Sequence, residues 1–101
     1  MTIGKRIKEL RESSGLLQRE LAAKLNIGEG FLSKVENDQK LLKRDDLMIL
    51  SRIFNVDLSE LETLWLANKL YDLIKNENNG LNALKVAEEQ VVYKSNTNEK
   101  R

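Results

Sequence analysis

Few of the side chains in this sequence can do covalent or acid–base chemistry. No His and no Cys occur among the 101 residues, which removes the commonest acid–base group, the thiol nucleophile, disulfides and the usual metal ligands. The 16 Asp and Glu stand without a Gly-rich phosphate loop or a clustered metal-binding set, so they make no catalytic constellation. The expectation is a protein that binds and is not an enzyme, with no cofactor, no metal and no evident small-molecule ligand. The chemistry that remains is ionic. Lys40, Lys43 and Arg44 form a local basic run that fits either a solvated surface or contact with phosphates. Net charge is only +1, but residues 1–54 hold 11 Lys and Arg against 8 Asp and Glu, while residues 55–101 hold 6 against 8. A basic amino-terminal part with an acidic remainder suits DNA contact on one side only.

Those side chains need a scaffold, and composition specifies a helical one. At 41% hydrophobic and 33% charged, the chain is one small soluble domain with room for a helical appendage. There is no Pro, Leu, Lys and Glu are frequent, and no stretch alternates with period two, so the fold class is all-α. No apolar run approaches the roughly 18 to 20 residues that span a bilayer, and residues 1–10 lack the apolar segment of a secretory signal, which predicts a cytoplasmic protein with no membrane partner.

Six helices are predicted. The first, about Thr2 to Ser14, sets Ile3, Ile7 and Leu10 on one stripe and ends at Gly15 in a left-handed cap. The second runs from Gln18 to Leu25, the third from about Glu29 to Asn37, and the fourth from about Arg44 to Phe54 with Asp45 and Asp46 in its favourable first turn. Ser59 and Glu62 make a capping-box pattern that opens a fifth helix reaching about Asn76. Within it, Leu61, Leu64 and Trp65 fall on one side and Leu66, Leu70, Leu73 and Ile74 on roughly the opposite side. After the turn-forming residues 76–80, a sixth helix, about Leu81 to Tyr93, aligns Leu81, Leu84, Val91 and Val92, with Glu88 interrupting the stripe. Residues 95–101 read as a flexible tail. The predicted divisions are residues 1–61, a carboxy-terminal extension over 62–94, and that tail.

The segment from Gln18 to Asn37 is the most informative. Two short helices meeting at roughly 90 to 120° need a small residue at their crossing, which Ala22 supplies, and a turn residue that tolerates positive φ, which Asn26 can be. Leu21, Leu25, Ile27, Leu32 and Val35 then face a common core. This pattern resembles the helix-turn-helix family of phage repressors and Cro proteins, the xenobiotic-response-element type. Two further blocks in the right order extend the resemblance from about Ile3 to Leu61: Ile3-Gly-Lys-Arg-Ile-Lys-Glu-Leu-Arg11, and Leu50-Ser-Arg-Ile-Phe-Asn-Val56.

The resemblance implies a lambda-repressor-like bundle of about five helices, with the extension beyond it, and double-stranded DNA as partner. It places Gln18 and Arg19 at the start of the second helix, where relatives touch the DNA backbone. Glu29, Gly30, Phe31, Ser33 and Lys34 occupy the recognition helix, and Asn37, Lys40, Lys43 and Arg44 follow it, where relatives reach phosphates. It also pairs Arg11 with Glu36 as a structural tie between the first and third helices. The sequence departs from the family pattern at Leu42, where Pro is frequent, at Leu17, where Ser or Thr often caps, and at Gly28-Glu29-Gly30, which offers few side chains for base readout. Leu66, Leu70, Leu73, Ile74, Leu81, Leu84 and Val91 are expected to cover one another across a homodimer. The implied function is a transcriptional regulator of repressor or controller type on a pseudo-palindromic operator. The rival is a protein-interaction adaptor or antitoxin-like module that uses the same fold.

Overall fold

A computed structural model describes residues 1–99. Six helices are found among the described residues, with no strand: α1 (Ile3–Ser13), α2 (Gln18–Leu25), α3 (Glu29–Glu36), α4 (Arg44–Phe54), α5 (Leu58–Ile74) and α6 (Gly80–Glu99). None is long and apolar enough to cross a membrane. The chain divides into two compact units, Met1–Lys69 and the residues from Leu70 onward.

Local chemistry sets the ends of the first four helices. Thr2 caps α1, its Oγ1 accepting from Lys5 N at 3.1 Å. Gly15 at φ +73° lets Leu16 N return to Arg11 O at 3.1 Å, which closes the helix. Leu17, at the start of α2, has no side-chain acceptor to offer, so only the reciprocal half of a capping box forms: Leu17 N donates to Glu20 Oε1 at 2.8 Å. Asn26 ends α2 in the left-handed region at φ 56°, and Asn55 ends α4 in the same way at φ 52°.

The core of the first unit comprises Ile3, Ile7, Leu21, Ala22, Leu25, Leu32, Val35, Leu42, Leu47, Leu50 and Leu61, and Leu10, Ile27, Ile53, Phe54, Leu64 and Trp65 are among those packing around it. Helix α3 lies against α1 and α2, and α4 lies against α2. The approach of α1 to α3 is close: a Cβ added at Gly4 would stand 2.2 Å from Val35 O, so only glycine fits there.

The first compact unit runs on past Leu61 to Lys69, since Leu64 and Trp65 also pack on its core. Two expectations are corrected. Helix α5 begins at Leu58, so Ser59 lies inside it and is not its cap; Ser59 O accepts from Thr63 Oγ1 at 2.8 Å. Helix α6 continues to Glu99, through most of the stretch expected to be a tail, because nothing from Leu81 onward breaks a helix. Residues 100 and 101 of that stretch lie outside the described residues. In the second unit Ile74 is half-buried, and a Cβ on Gly80 would meet its carbonyl oxygen at 2.6 Å. Ile74 therefore helps close the turn into α6, whereas Leu70, Leu73, Leu81, Leu84 and Val91 are exposed.

Candidate nucleic-acid interface

Helices α2 and α3 are joined by a turn whose geometry follows from Asn26. Its left-handed backbone lets Ile27 N reach back to Ala22 O at 3.0 Å, and Gly28, extended at φ −73°, starts α3. Leu21, Ala22 and Leu25 of α2 and Leu32 and Val35 of α3 point inward. The opposite face is left to polar residues. Arg19, Glu29, Gly30, Lys34, Asn37, Lys40, Lys43 and Arg44 are all exposed, Gln18 and Ser33 are half-buried, and Phe31 is 38% exposed. Beyond α3 the chain folds back on that helix, with Gln39 N and Lys40 N donating to Lys34 O at 2.8 and 3.3 Å. This keeps Lys40 beside the end of α3. Asp38 at φ 63° supports the reversal, a role the sequence did not suggest.

The pair is locked to α1 by buried ionic chemistry. Arg11 Nε donates to Glu36 Oε2 at 2.7 Å and Arg11 Nη2 to Glu36 Oε1 at 3.0 Å, a bidentate arrangement. Arg11 Nη1 donates to Leu16 O at 2.9 Å. Arg11 is 9% exposed and Glu36 3%, so the two charges satisfy one another where water cannot. The hydrogen bonds that Arg11 donates to the Glu36 carboxylate, opposed by desolvation, raise the Arg11 pKa further above its already high value. Gln18 joins this cluster, its Nε2 donating to Glu36 Oε1 at 3.0 Å. The start of α2, the end of α3 and the last turn of α1 are thereby fixed to one another, as a rigid reading head requires.

Two open-surface ties join α1 and α4 to α5. Arg6 Nε donates to Glu60 Oε1 at 2.9 Å, and Arg6 also pairs with Glu9; its pKa is raised, first by Glu60 and then by Glu9. Arg44 Nε donates to Glu62 Oε2 at 3.2 Å.

Comparison with known proteins matches this arrangement. A helix-turn-helix family model covers residues 7–61, more than half the chain. The chain belongs to the helix-turn-helix family of the xenobiotic-response-element type. That family is one of DNA-binding regulators of transcription. A relative, the HTH-type transcriptional regulator ImmR of Bacillus subtilis (strain 168), is 46% identical over 56 residues, which is 55% of this chain and 44% of the relative. The matched region thus spans less than half the length of that regulator.

Within this helix-turn-helix unit, sequence reasoning missed a cluster around Leu42 and Trp65. The family's frequent Pro position holds Leu42, which is 2% exposed and part of the core. Its carbonyl accepts from Trp65 Nε1 at 2.9 Å, and the Trp65 ring carries Arg44 at 5.5 Å and Lys69 at 5.0 Å from its centroid. The spacing of Glu62, Trp65 and Lys69, three and then four residues, places them on one helical face. That signal was present in the sequence, but its partner lies some twenty residues earlier.

Proposed function

We propose that this helix-turn-helix chain is a sequence-specific transcriptional regulator, of repressor or controller type, that acts as a homodimer on a pseudo-palindromic operator. The observation that carries the reading is the α2–α3 pair, held by the Arg11–Glu36–Gln18 cluster with its polar face open. The regulator named among its relatives supports the same direction. In this reading Glu29, Ser33 and Lys34 meet base edges in the major groove. Gln18, Arg19, Asn37, Lys40, Lys43 and Arg44 meet the sugar–phosphate backbone, and the bare backbone at Gly30 and the ring of Phe31 lie close to the DNA surface.

Two subunits are brought together through α5 and α6. Leu66 and Leu70 on α5 and Leu81 and Leu84 on α6 are exposed, and Leu70, Leu84, Ala87, Val91 and Val92 line an apolar groove. A surface of this kind favours a covering partner, and a second copy supplies one at two-fold symmetry. The test is selection of bound sites from random duplex DNA. Recovered sites should share two half-sites about one helical turn apart, and sedimentation should show a dimer that weakens on deletion of residues 79–101. If no sequence is enriched, the reading fails and the Gly28–Phe31 surface becomes a protein-docking face.

A further inference from the structure

Arg44 is the first residue of α4 and follows Lys43 on the stretch assigned to phosphates. Its side chain is 52% exposed, yet it is held at two points. Glu62 Oε2 accepts from Nε, the inner nitrogen, at 3.2 Å, and the guanidinium carbon lies 5.5 Å from the Trp65 ring centroid. Among the described residues the outer nitrogens, Nη1 and Nη2, make no hydrogen bond. Trp65 is itself anchored, through Nε1 to the carbonyl of the buried Leu42 at 2.9 Å. The platform under Arg44 is therefore packed against the core and is not a second loose side chain.

An exposed arginine loses much rotamer freedom when it grips an anion, and that loss weakens binding. A guanidinium restrained through its inner nitrogen and its face keeps its outer edge available for two parallel hydrogen bonds to phosphate oxygens. The aromatic ring adds attraction for the cation without competing for its protons. We propose that Glu62 and Trp65, both on α5 and outside the α2–α3 pair, are positioning residues for DNA binding: they hold Arg44 so that its Nη1–Nη2 edge meets a backbone phosphate. This rests on the DNA-binding reading above. Glu62 then has two opposed effects. Its acceptor oxygen orders Arg44, while its charge repels the phosphate.

The two effects separate by substitution. Glu62→Gln keeps an acceptor for Nε and removes the charge, whereas Glu62→Ala removes both. Glu62 is only about one-third exposed at its side chain and lies outside the buried core, so both variants should fold, which circular dichroism would check. Binding to a fluorescein-labelled duplex of arbitrary sequence, at one ionic strength, reads the phosphate contribution without knowledge of the operator. Glu62→Ala should bind about threefold to tenfold more weakly than Glu62→Gln, and the difference should vanish when both are made in an Arg44→Ala background. Trp65→Leu should likewise bind more weakly than Trp65→Phe, again only when Arg44 is present. Equal binding by the two Glu62 variants, or a difference that persists without Arg44, overturns the positioning role while leaving DNA binding intact. Wild-type protein that binds no duplex overturns both.

Discussion

Between Ile3 and Leu61 eleven apolar side chains are 4% exposed or less, whereas Leu73, Leu81, Val91 and Tyr93 of the second unit are 65–74% exposed. Leucine is abundant in both regions, so hydrophobic content does not explain the difference. The first unit stacks short helices in several directions around one volume, and α5 adds Leu61 to close it. The second has the end of α5 and α6, and residues 81–96 of α6 are all exposed. Burial thus depends on how many layers the chain returns to a given place, and a hairpin of two helices returns too few.

The largest test of this contrast uses one kind of substitution in both places. Leu47 is fully buried, and Leu47→Ala should destabilise the first unit by about 3–5 kcal/mol in denaturant unfolding. Leu73, 74% exposed, should change the stability of the isolated subunit by less than about 0.5 kcal/mol when cut to Ala. Its effect should appear in sedimentation, as weaker self-association. Equal unfolding costs would break the comparison.

A second test compares two glutamates. Glu36 is buried against Arg11, and Glu36→Ala should cost about 3 kcal/mol because Arg11 is left charged and buried without its bidentate partner. Replacing Arg11 and Glu36 together with apolar residues should recover part of the loss. Glu88 is exposed beside the apolar groove, so Glu88→Ala should leave unfolding nearly unchanged and strengthen any association that covers the groove. A double-mutant cycle with no coupling between Arg11 and Glu36 would contradict the first half of this contrast.

DNA binding sharpens the division further. Lys34→Ala should cost roughly 1–3 kcal/mol on a selected site and relax preference at one base position per half-site. Lys43→Ala should weaken all duplexes about equally and reduce the salt slope by roughly one unit. Lys85→Ala, in α6, should change neither. If Lys34→Ala lowers affinity equally for every sequence, Lys34 is a phosphate contact, and specificity falls to Glu29, Ser33 or DNA shape.

The first unit was largely legible in the sequence because its signals are local. Ile3, Ile7 and Leu10 repeat at helical spacing, and Gly15 and Asn26 supply the left-handed backbone their turns require. The ends of α2 and α4 follow from the same logic. What escaped depended on distant partners. Ser59 and Glu62 look like a helix cap, but Glu62 is engaged by Arg44, eighteen positions away. Leu42 looks like a loop residue in place of a proline, and only the packed core shows that it is buried. The polar composition after Tyr93 reads as fraying, yet helix propensity without a breaker carries α6 to Glu99. Among the site residues, resemblance assigned Gln18 to the DNA backbone; its amide bond to Glu36 was invisible without coordinates.

The smallest effect concerns a glycine that the fold does not need. Gly30 lies inside α3, is exposed, and an added Cβ there would meet nothing within 4 Å. Glycine inside a helix costs about 1 kcal/mol relative to alanine, mostly through backbone entropy in the unfolded chain. Gly30→Ala should therefore stabilise the first unit by about 0.5–1 kcal/mol and raise Tm by roughly 2–8 °C. The same methyl would stand on the face assigned to the major groove, where a bare backbone allows the closest approach. A variant that is more stable yet binds its selected site more weakly would tie Gly30 to DNA contact. If stability rises while affinity and base preference stay unchanged, that contact lies further along α3, at Ser33 and Lys34; no rise in Tm would contradict the open, helical setting of Gly30 itself.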